Sequence, residues 1–223
     1  MTRCLGLVGG LGVGATTLYY RELVKAHHGH LPLVMVHADM DRVLKHAAAG
    51  EKVPLAKYLA ELIGRMQASG AQVAVVPAIT PHLCIQELIE LSPLPIINVL
   101  ESIAAAIQVR KIKRVALFGT RFTITGRMFG YLGGVEIVDP QPEEIDYIHE
   151  IYFQIASSGA GSDAQRRGLT QIAQRLCAEQ GVEAIVLAGT DLSTVFDETN
   201  TNFPYIDCAQ VHIRAILRAL VDH

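Results

Sequence analysis

Short runs of apolar, often β-branched residues alternate along the chain with longer segments whose apolar positions recur at helical spacing. Continuous apolar runs are typical of strands covered on both faces, so the alternation predicts an α/β protein with parallel sheets. The predicted strands are residues 4–8, 33–37, 73–76, 96–98, 115–118, 135–138, 184–187 and 205–206. The predicted helices include residues 16–27, 53–69, 81–91 and 165–180.

The second half of this pattern repeats the first. Leu5-Gly-Leu-Val-Gly-Gly10 resembles Val115-Ala-Leu-Phe-Gly-Thr120. A second pair of similar strand–loop segments ends at Thr80 and at Thr190. The spacing within this pair equals the spacing within the first pair. Similar segments at one spacing indicate an internal duplication, which predicts two lobes related by a pseudo-twofold axis. Each lobe is expected to be a doubly wound unit built on a parallel sheet.

The duplication also predicts where a ligand binds. We expect residues 1–100 with 207–223 to form the first lobe and residues 101–206 the second. Open α/β sheets bind ligands beyond the carboxyl ends of their strands, so the two lobes should share one cleft. The loops expected there are rich in Gly and Thr and precede helices, where N–H groups suit carboxylate or phosphate oxygens. They are residues 9–17, 77–82, 119–125 and 188–193.

Composition narrows the class of protein. Half of the 223 residues are hydrophobic and 18% are charged, which is enough to bury a sizeable core. The net charge is −3 with scattered Lys and Arg, and no apolar run approaches the roughly 18 residues of a membrane span. We therefore expect neither nucleic acid nor a membrane as a partner. The chain begins in a predicted strand without a signal-peptide pattern, which predicts a cytoplasmic protein.

The cysteines do not indicate a metal site. No two of them form a CxxC pair, and their spacing matches no zinc motif. We expect free thiols in a reducing compartment and no bound metal. The cysteines are Cys4, Cys84, Cys177 and Cys208.

The glycine-rich loop at residues 9–17 fits a phosphate-binding P-loop in part. Gly9, Gly14 and Thr16 match the pattern, but Ala15 stands where a P-loop has its lysine. Without that ammonium the charge of a triphosphate is poorly met, which argues against nucleotide hydrolysis.

Two other interpretations of this loop remain. Gly10, Gly12 and Ala15 match a dinucleotide-binding fingerprint, with Asp39 as a ribose ligand. That interpretation does not explain the duplication. A loop that forms one half of a paired carboxylate site does explain it, and we prefer this third interpretation.

Three segments carry a family resemblance. Gly6-Leu-Val-Gly-Gly-Leu-Gly-Val-Gly-Ala-Thr-Thr-Leu-Tyr-Tyr-Arg21 resembles the opening of aspartate/glutamate racemases, where a Gly-Gly-Met-Gly loop precedes Ala-Thr and a helix with Tyr-Arg. Pro77-Ala-Ile-Thr-Pro-His82 stands where such proteins have Pro-Cys-Asn-Thr-Ala-His. Ala188-Gly-Thr-Asp-Leu192 stands where they have Gly-Cys-Thr-Glu and an aliphatic residue. The resemblance covers nearly the whole chain.

The resemblance implies pseudosymmetric lobes, a homodimer, no cofactor and a small carboxylate as substrate. It also implies a reaction in which two thiols flank the Cα of an acidic amino acid. One thiolate takes the α-proton, and the other thiol returns a proton to the opposite face.

This chain departs from the family at both thiol positions. Ala78 aligns with the first thiol and Gly189 with the second, and neither side chain can move a proton. Ile79 replaces an asparagine, and a lysine expected near Ala156 is missing. We therefore expect a less polar pocket that takes a bulkier or less charged acid.

Several candidate residues follow from the same alignment. The predicted catalytic residues are His82, Asp191, Thr80 and Thr190. The predicted substrate-binding residues are Gly10, Leu11, Arg42, Ala78, Ile79, Thr80, Thr120, Gly189 and Thr190. Each polar candidate also has a structural alternative. Thr at such positions often caps helices, His can bond a backbone carbonyl, Asp can orient a neighbour, and Arg can be solvated. Cys84 is expected in the core.

The sequence thus predicts a racemase-family isomerase that acts on an amino acid or related small carboxylate in the interlobe cleft, without the two-cysteine mechanism. Two alternatives remain. One is lyase or decarboxylase chemistry on a dicarboxylate, which needs at most one acid. The other is a relative that binds a carboxylate without catalysis.

Overall fold

The computed structural model describes residues 2–221 and contains two parallel sheets. The first sheet has the order β2-β1-β3 and the second β5-β4-β6-β7. The strands are β1 (Leu5–Gly9), β2 (Leu33–His37), β3 (Val73–Val75), β4 (Arg114–Phe118), β5 (Glu136–Ile137), β6 (Ala184–Leu187) and β7 (Tyr205–Asp207). This architecture confirms the predicted α/β class with parallel sheets.

Helices lie between the strands. They are α1 (Val13–Ala26), α2 (Met40–Ala48), α3 (Lys52–Ala68), α4 (Ile85–Leu91), α5 (Val99–Arg110), α6 (Arg121–Thr125), α7 (Pro142–Ser158), α8 (Asp163–Gln180) and α9 (Cys208–Leu220). Short 3₁₀ turns occur at Thr80–Cys84, Arg127–Gly130 and Thr190–Thr194. No helix among residues 2–221 is both long and apolar enough to cross a membrane.

The internal repeat is present in the hydrogen-bond register. β1 lies between β2 and β3, as β4 lies between β5 and β6. Leu5 pairs with Val73 in the first sheet, and the equivalent Val115 pairs with Ala184 in the second. The 3₁₀ turns that begin at Thr80 and Thr190 follow the equivalent strands β3 and β6. The two sheets therefore bring matching loops to their carboxyl ends.

One predicted strand is largely missing. Residues 96–98 form a single parallel bridge, between Ile96 and Ala74, where the second sheet has β7. The chain leaves the sheet at once because the side chain of Asn98 accepts a hydrogen bond from the N–H of Leu100 and begins α5.

The last helix packs against the first sheet. Ile213, Ile216 and Leu220 of α9 share a buried cluster with Leu5 and Leu7 of β1. Helix α5, the equivalent helix after Ile96, instead contributes to the larger cluster that includes the second sheet. The predicted lobe boundaries stay a prediction, but α9 contributes core residues beside β1.

Candidate functional site

The carboxylate of Asp191 lies at the N-terminus of α1. Its Oδ1 accepts a hydrogen bond from the N–H of Ala15 at 2.7 Å, across 176 residues of sequence. Gly12, the residue before α1, has a φ of 147° and no capping side chain. A Cβ at Gly12 would overlap the Asp191 carboxylate, so glycine makes room for this contact. The chain thus supplies its own anion to the glycine-rich loop that the sequence assigned to a ligand.

The same contact explains why α1 starts earlier than predicted. The sequence placed its first residue at Thr16, whereas the helix begins at Val13. Helix starts are recognised in a sequence by a local capping residue, and here the cap comes from Asp191 in the other half of the chain.

Asp191 is fully buried and has a second partner. The hydroxyl of Tyr152 donates to its Oδ2 at 3.3 Å. Burial raises the pKa of Asp191 to about 6, and the N–H of Ala15 and the Tyr152 hydroxyl oppose this shift. A carboxyl group with this pKa can hold or release a proton near neutral pH.

The raised pKa predicts a pH-dependent stability. Because folded Asp191 binds its proton more tightly than the unfolded chain does, its contribution to stability increases as the pH falls from 7.5 towards 4. From pH 7.5 to pH 5, the free energy of unfolding of the wild type minus that of Asp191→Asn should increase by about 1 kcal/mol. Urea unfolding of both proteins at both pH values measures this shift. An unchanged difference, or one that shifts towards the variant, would contradict the assignment.

A small cavity lies between the two halves of the molecule. Its volume is about 30 Å³, close to the share of one water molecule in the liquid. Five of the predicted substrate-binding residues line it: Leu11, Ala78, Ile79, Thr80 and Thr120. The remaining lining residues are Met40, Val43, Leu44, Pro81, Tyr152, Phe153 and Ala156.

Hydroxyl groups from both halves meet at this cavity. The Oγ1 atoms of Thr80 and Thr120 are 3.0 Å apart, and Thr123 Oγ1 lies 3.0 Å from that of Thr120. Thr120 also caps α6 by accepting from the N–H of Thr123. The capping role and a ligand-binding role are compatible, because a hydroxyl can both accept and donate.

Tyr152 fills the space at the second thiol position. A Cβ at Gly189 would overlap the Tyr152 ring, so a cysteine there requires this ring to move. At the first thiol position, Ala78 is buried and lines the cavity. Burial and the charge of Asp191 raise the pKa of Tyr152 well above its usual value, so its hydroxyl keeps its proton. Tyr152 was not among the predicted site residues, although it lies four residues before Ala156, near which a lysine was expected.

His82 is buried within the 3₁₀ turn that precedes α4 and does not line the cavity. Its Nδ1 is 2.7 Å from the carbonyl oxygen of Ala78, which only accepts, so Nδ1 carries the proton. Nε2 has no hydrogen-bond partner among the described residues. Burial lowers the pKa of His82 to about 4 and keeps the ring neutral at pH 7. Its predicted catalytic role stays a prediction.

The structure places three other candidates outside the cavity. Thr190 donates from its hydroxyl to the carbonyl oxygen of Pro77 at 2.9 Å and so connects the equivalent loops. The guanidinium carbon of the exposed Arg42 lies 4.1 Å from the centre of the Tyr58 ring. Gly10 lines a separate crevice of about 650 Å³ at the ends of β1 and β2. Their predicted contacts with substrate also stay predictions.

Metal-ligating side chains and thiols are scattered through residues 2–221. Within residues 2–221, no group of three or more His, Cys, Asp or Glu side chains could hold a metal ion. The four cysteines are free. Cys84 is buried and donates from Sγ to the carbonyl oxygen of Pro81 at 3.2 Å. Burial raises the pKa of its thiol to about 12, which agrees with a core residue.

Comparison with known proteins places this geometry in context. The family model described as Asp/Glu/Hydantoin racemase matches residues 8–216. A Yersinia pestis protein assigned as an Asp/Glu racemase is 25% identical, with a TM-score of 0.79, over 98% of this chain and all of that one. An aspartate racemase homologue from Pyrococcus horikoshii OT3 is 20% identical, with a TM-score of 0.79, over the whole of both chains. A Picrophilus torridus aspartate racemase is 17% identical, with a TM-score of 0.76, over 98% and 94% of the two chains.

Proposed function

Because the chain belongs to the Asp/Glu/hydantoin racemase family, we propose that it is an isomerase for an amino acid or a related small carboxylate. The substrate binds in the interlobe cavity, and the reaction does not use two cysteines. The observation that carries this proposal is the lining of one cavity by Leu11, Ala78, Ile79, Thr80 and Thr120 together with Tyr152. From the resemblance alone, we also propose a homodimer without a cofactor; the free thiols favour a cytoplasmic location.

Tyr152 and Asp191 provide a route for the proton. The α-proton of the substrate moves to the Tyr152 oxygen while the Tyr152 proton moves to Oδ2 of Asp191, the oxygen that this hydroxyl already faces. The electron pair of the broken C–H bond becomes the enediolate charge on the substrate carboxylate. The hydroxyls of Thr80 and Thr120 stabilise that charge by donating hydrogen bonds. Before reprotonation the proton on the Tyr152 oxygen exchanges with solvent. Its return to Cα on the same face retains the configuration, its return after the planar enediolate has turned over inverts it, and either return sends the stored proton from Asp191 back to Tyr152.

The raised pKa of Asp191 suits this role. A general base works best when its pKa is close to the operating pH, and burial brings that of Asp191 to about 6. The phenol of Tyr152 cannot hold the negative charge itself, because burial and Asp191 raise its pKa. Tyr152 therefore relays a proton, and Asp191 stores it.

The two faces of the cavity differ, which predicts that exchange of the α-proton is faster than inversion of the configuration. Tyr152 carries protons on one side, whereas Ala78 on the other cannot. A carbanion formed here is returned mostly to its original configuration. In heavy water, deuterium should therefore enter the Cα position faster than the opposite enantiomer accumulates. Proton NMR and chiral chromatography on a panel of 2-amino and 2-hydroxy acids measure both rates.

The outcome distinguishes this route from the family's usual one. Equal rates of exchange and inversion would indicate two acting groups and contradict the one-sided relay. Cys84→Ser is the control for a hidden thiol, and its exchange rate should match the wild type. No exchange with any acid of the panel would reject α-proton abstraction.

The same asymmetry favours one second candidate, a decarboxylase acting on a 2-substituted dicarboxylate. Loss of CO₂ leaves an enediolate that needs a single proton donor. Tyr152, which lines the cavity together with Thr80 and Thr120, can supply that proton. Release of CO₂ from 2-substituted malonates, with a product deuterated in one configuration, would identify this reaction.

A further inference from the structure

The lining of the interlobe cavity contains no Lys, Arg, His, Asp or Glu among the described residues. Its polar side chains are the hydroxyls of Thr80, Thr120 and Tyr152. One substrate carboxylate can take hydrogen bonds from these groups. No side chain of opposite charge remains for a second carboxylate or for an ammonium group.

Two candidates for such a charge, Arg42 and Asp191, are bound elsewhere. Arg42 lies on α2, but its guanidinium stacks on Tyr58 at 4.1 Å and does not line the cavity. This cation–π contact holds it away from a ligand. Asp191 could pair with an ammonium group, but its Oδ1 accepts from Ala15 and its Oδ2 faces Tyr152.

Burying an unpaired charge is costly. Transfer of a carboxylate or ammonium group into a poorly polar site costs several kcal/mol unless an opposite charge or hydrogen bonds compensate. The cavity therefore discriminates against any substrate with a second charged group. We propose that its ligand is a monocarboxylic acid whose other substituents are uncharged and apolar; this inference rests on the proposed function.

The walls indicate where each end of such an acid lies. The carboxylate contacts Thr80 and Thr120, which stand together on the side of the strand ends. The apolar substituent faces Met40, Val43 and Leu44 of α2. A cavity of about 30 Å³ cannot hold this acid without an outward shift of a wall. Met40 also lines the neighbouring crevice of about 650 Å³, so α2 is the wall whose movement joins the two spaces.

Pairs of acids with similar shape and different charge test the proposal. We expect 4-methylpentanoate to bind at least tenfold more tightly than succinate, which adds a second carboxylate, and at least tenfold more tightly than leucine, which adds an ammonium group, by ligand-observed NMR titration. If succinate or leucine binds as tightly as 4-methylpentanoate, the inference is wrong and the proposed function stands. If no acid binds or exchanges its α-proton, the proposed function fails as well.

A charge placed in the wall gives a second, independent test. Leu44→Arg puts a guanidinium where the apolar substituent is expected, so the affinity for succinate should increase at least tenfold and that for 4-methylpentanoate should fall. Leu91→Arg is the matched control, because Leu91 is exposed on α4 and does not line the cavity. Met40→Lys repeats the test if Leu44→Arg does not fold. An unchanged preference in a folded variant would overturn the proposal.

Discussion

Tyr152→Phe is expected to lower the rate of α-proton exchange by about two to four orders of magnitude, the usual contribution of a positioned proton-transfer group. The variant keeps the ring that covers Gly189 and removes only the hydroxyl that joins the cavity to Asp191. The free energy of unfolding should fall by only about 1 kcal/mol, because one long hydrogen bond is lost. Exchange measured by proton NMR in heavy water, together with urea unfolding, separates the two effects.

Tyr147→Phe is the matched control for this experiment. Tyr147 lies on the same helix, α7, but is 37% exposed and does not line the cavity. Its exchange rate should equal that of the wild type. Full activity in Tyr152→Phe would remove Tyr152 from the reaction and direct attention to His82, whose Nε2 has no hydrogen-bond partner within residues 2–221.

Gly12→Ala is expected to have the largest effect on stability. A methyl group there would overlap both carboxylate oxygens of Asp191, and the φ of 147° is unfavourable for any residue with a Cβ. The buried carboxylate cannot move away without breaking its hydrogen bond to Ala15. We expect the free energy of unfolding to fall by about 3 kcal/mol, from backbone strain and overpacking together. Urea unfolding measures this loss.

Gly29→Ala isolates the steric part of that loss. Gly29 also has a positive φ, of 85°, but a Cβ there would meet nothing within 4 Å. Its replacement should cost only about 1 kcal/mol for the backbone conformation. If Gly12→Ala costs no more than Gly29→Ala, the contact with Asp191 contributes little. The double variant Gly12→Ala/Asp191→Ala provides a further check, because the two losses should not add.

Much of the fold was predictable because its signals are local or repeated. The apolar runs of β1 and β4 are buried on both faces, and their similar sequences indicated the duplication. The end of the bridge at Ile96 was harder to predict. It depends on whether Asn98 begins a helix immediately. Strand and helix signals overlap within residues 96–98.

The positions of residues around the cavity follow from the sequence more directly than its chemistry does. Leu11, Ala78, Ile79, Thr80 and Thr120 line one cavity because they follow strands of parallel sheets, and their contact with substrate stays a prediction. The contact between Tyr152 and Asp191 was not predictable in this way. It joins a helix to a loop, and nothing in the spacing of residues 152 and 191 fixes how α7 is rotated above Gly189.

The packing of α9 has a consequence for protein synthesis. Leu5 and Leu7 of β1 leave the ribosome before Ile213, Ile216 and Leu220, which belong to the cluster that buries them. The first sheet therefore stays partly uncovered while the second half of the chain is being translated. A nascent chain in this state exposes apolar surface to its neighbours, which makes it a target for chaperones that bind such surfaces. Because α9 comes last in the chain, the half that is translated first cannot bury its sheet fully until residues up to 220 have been synthesised.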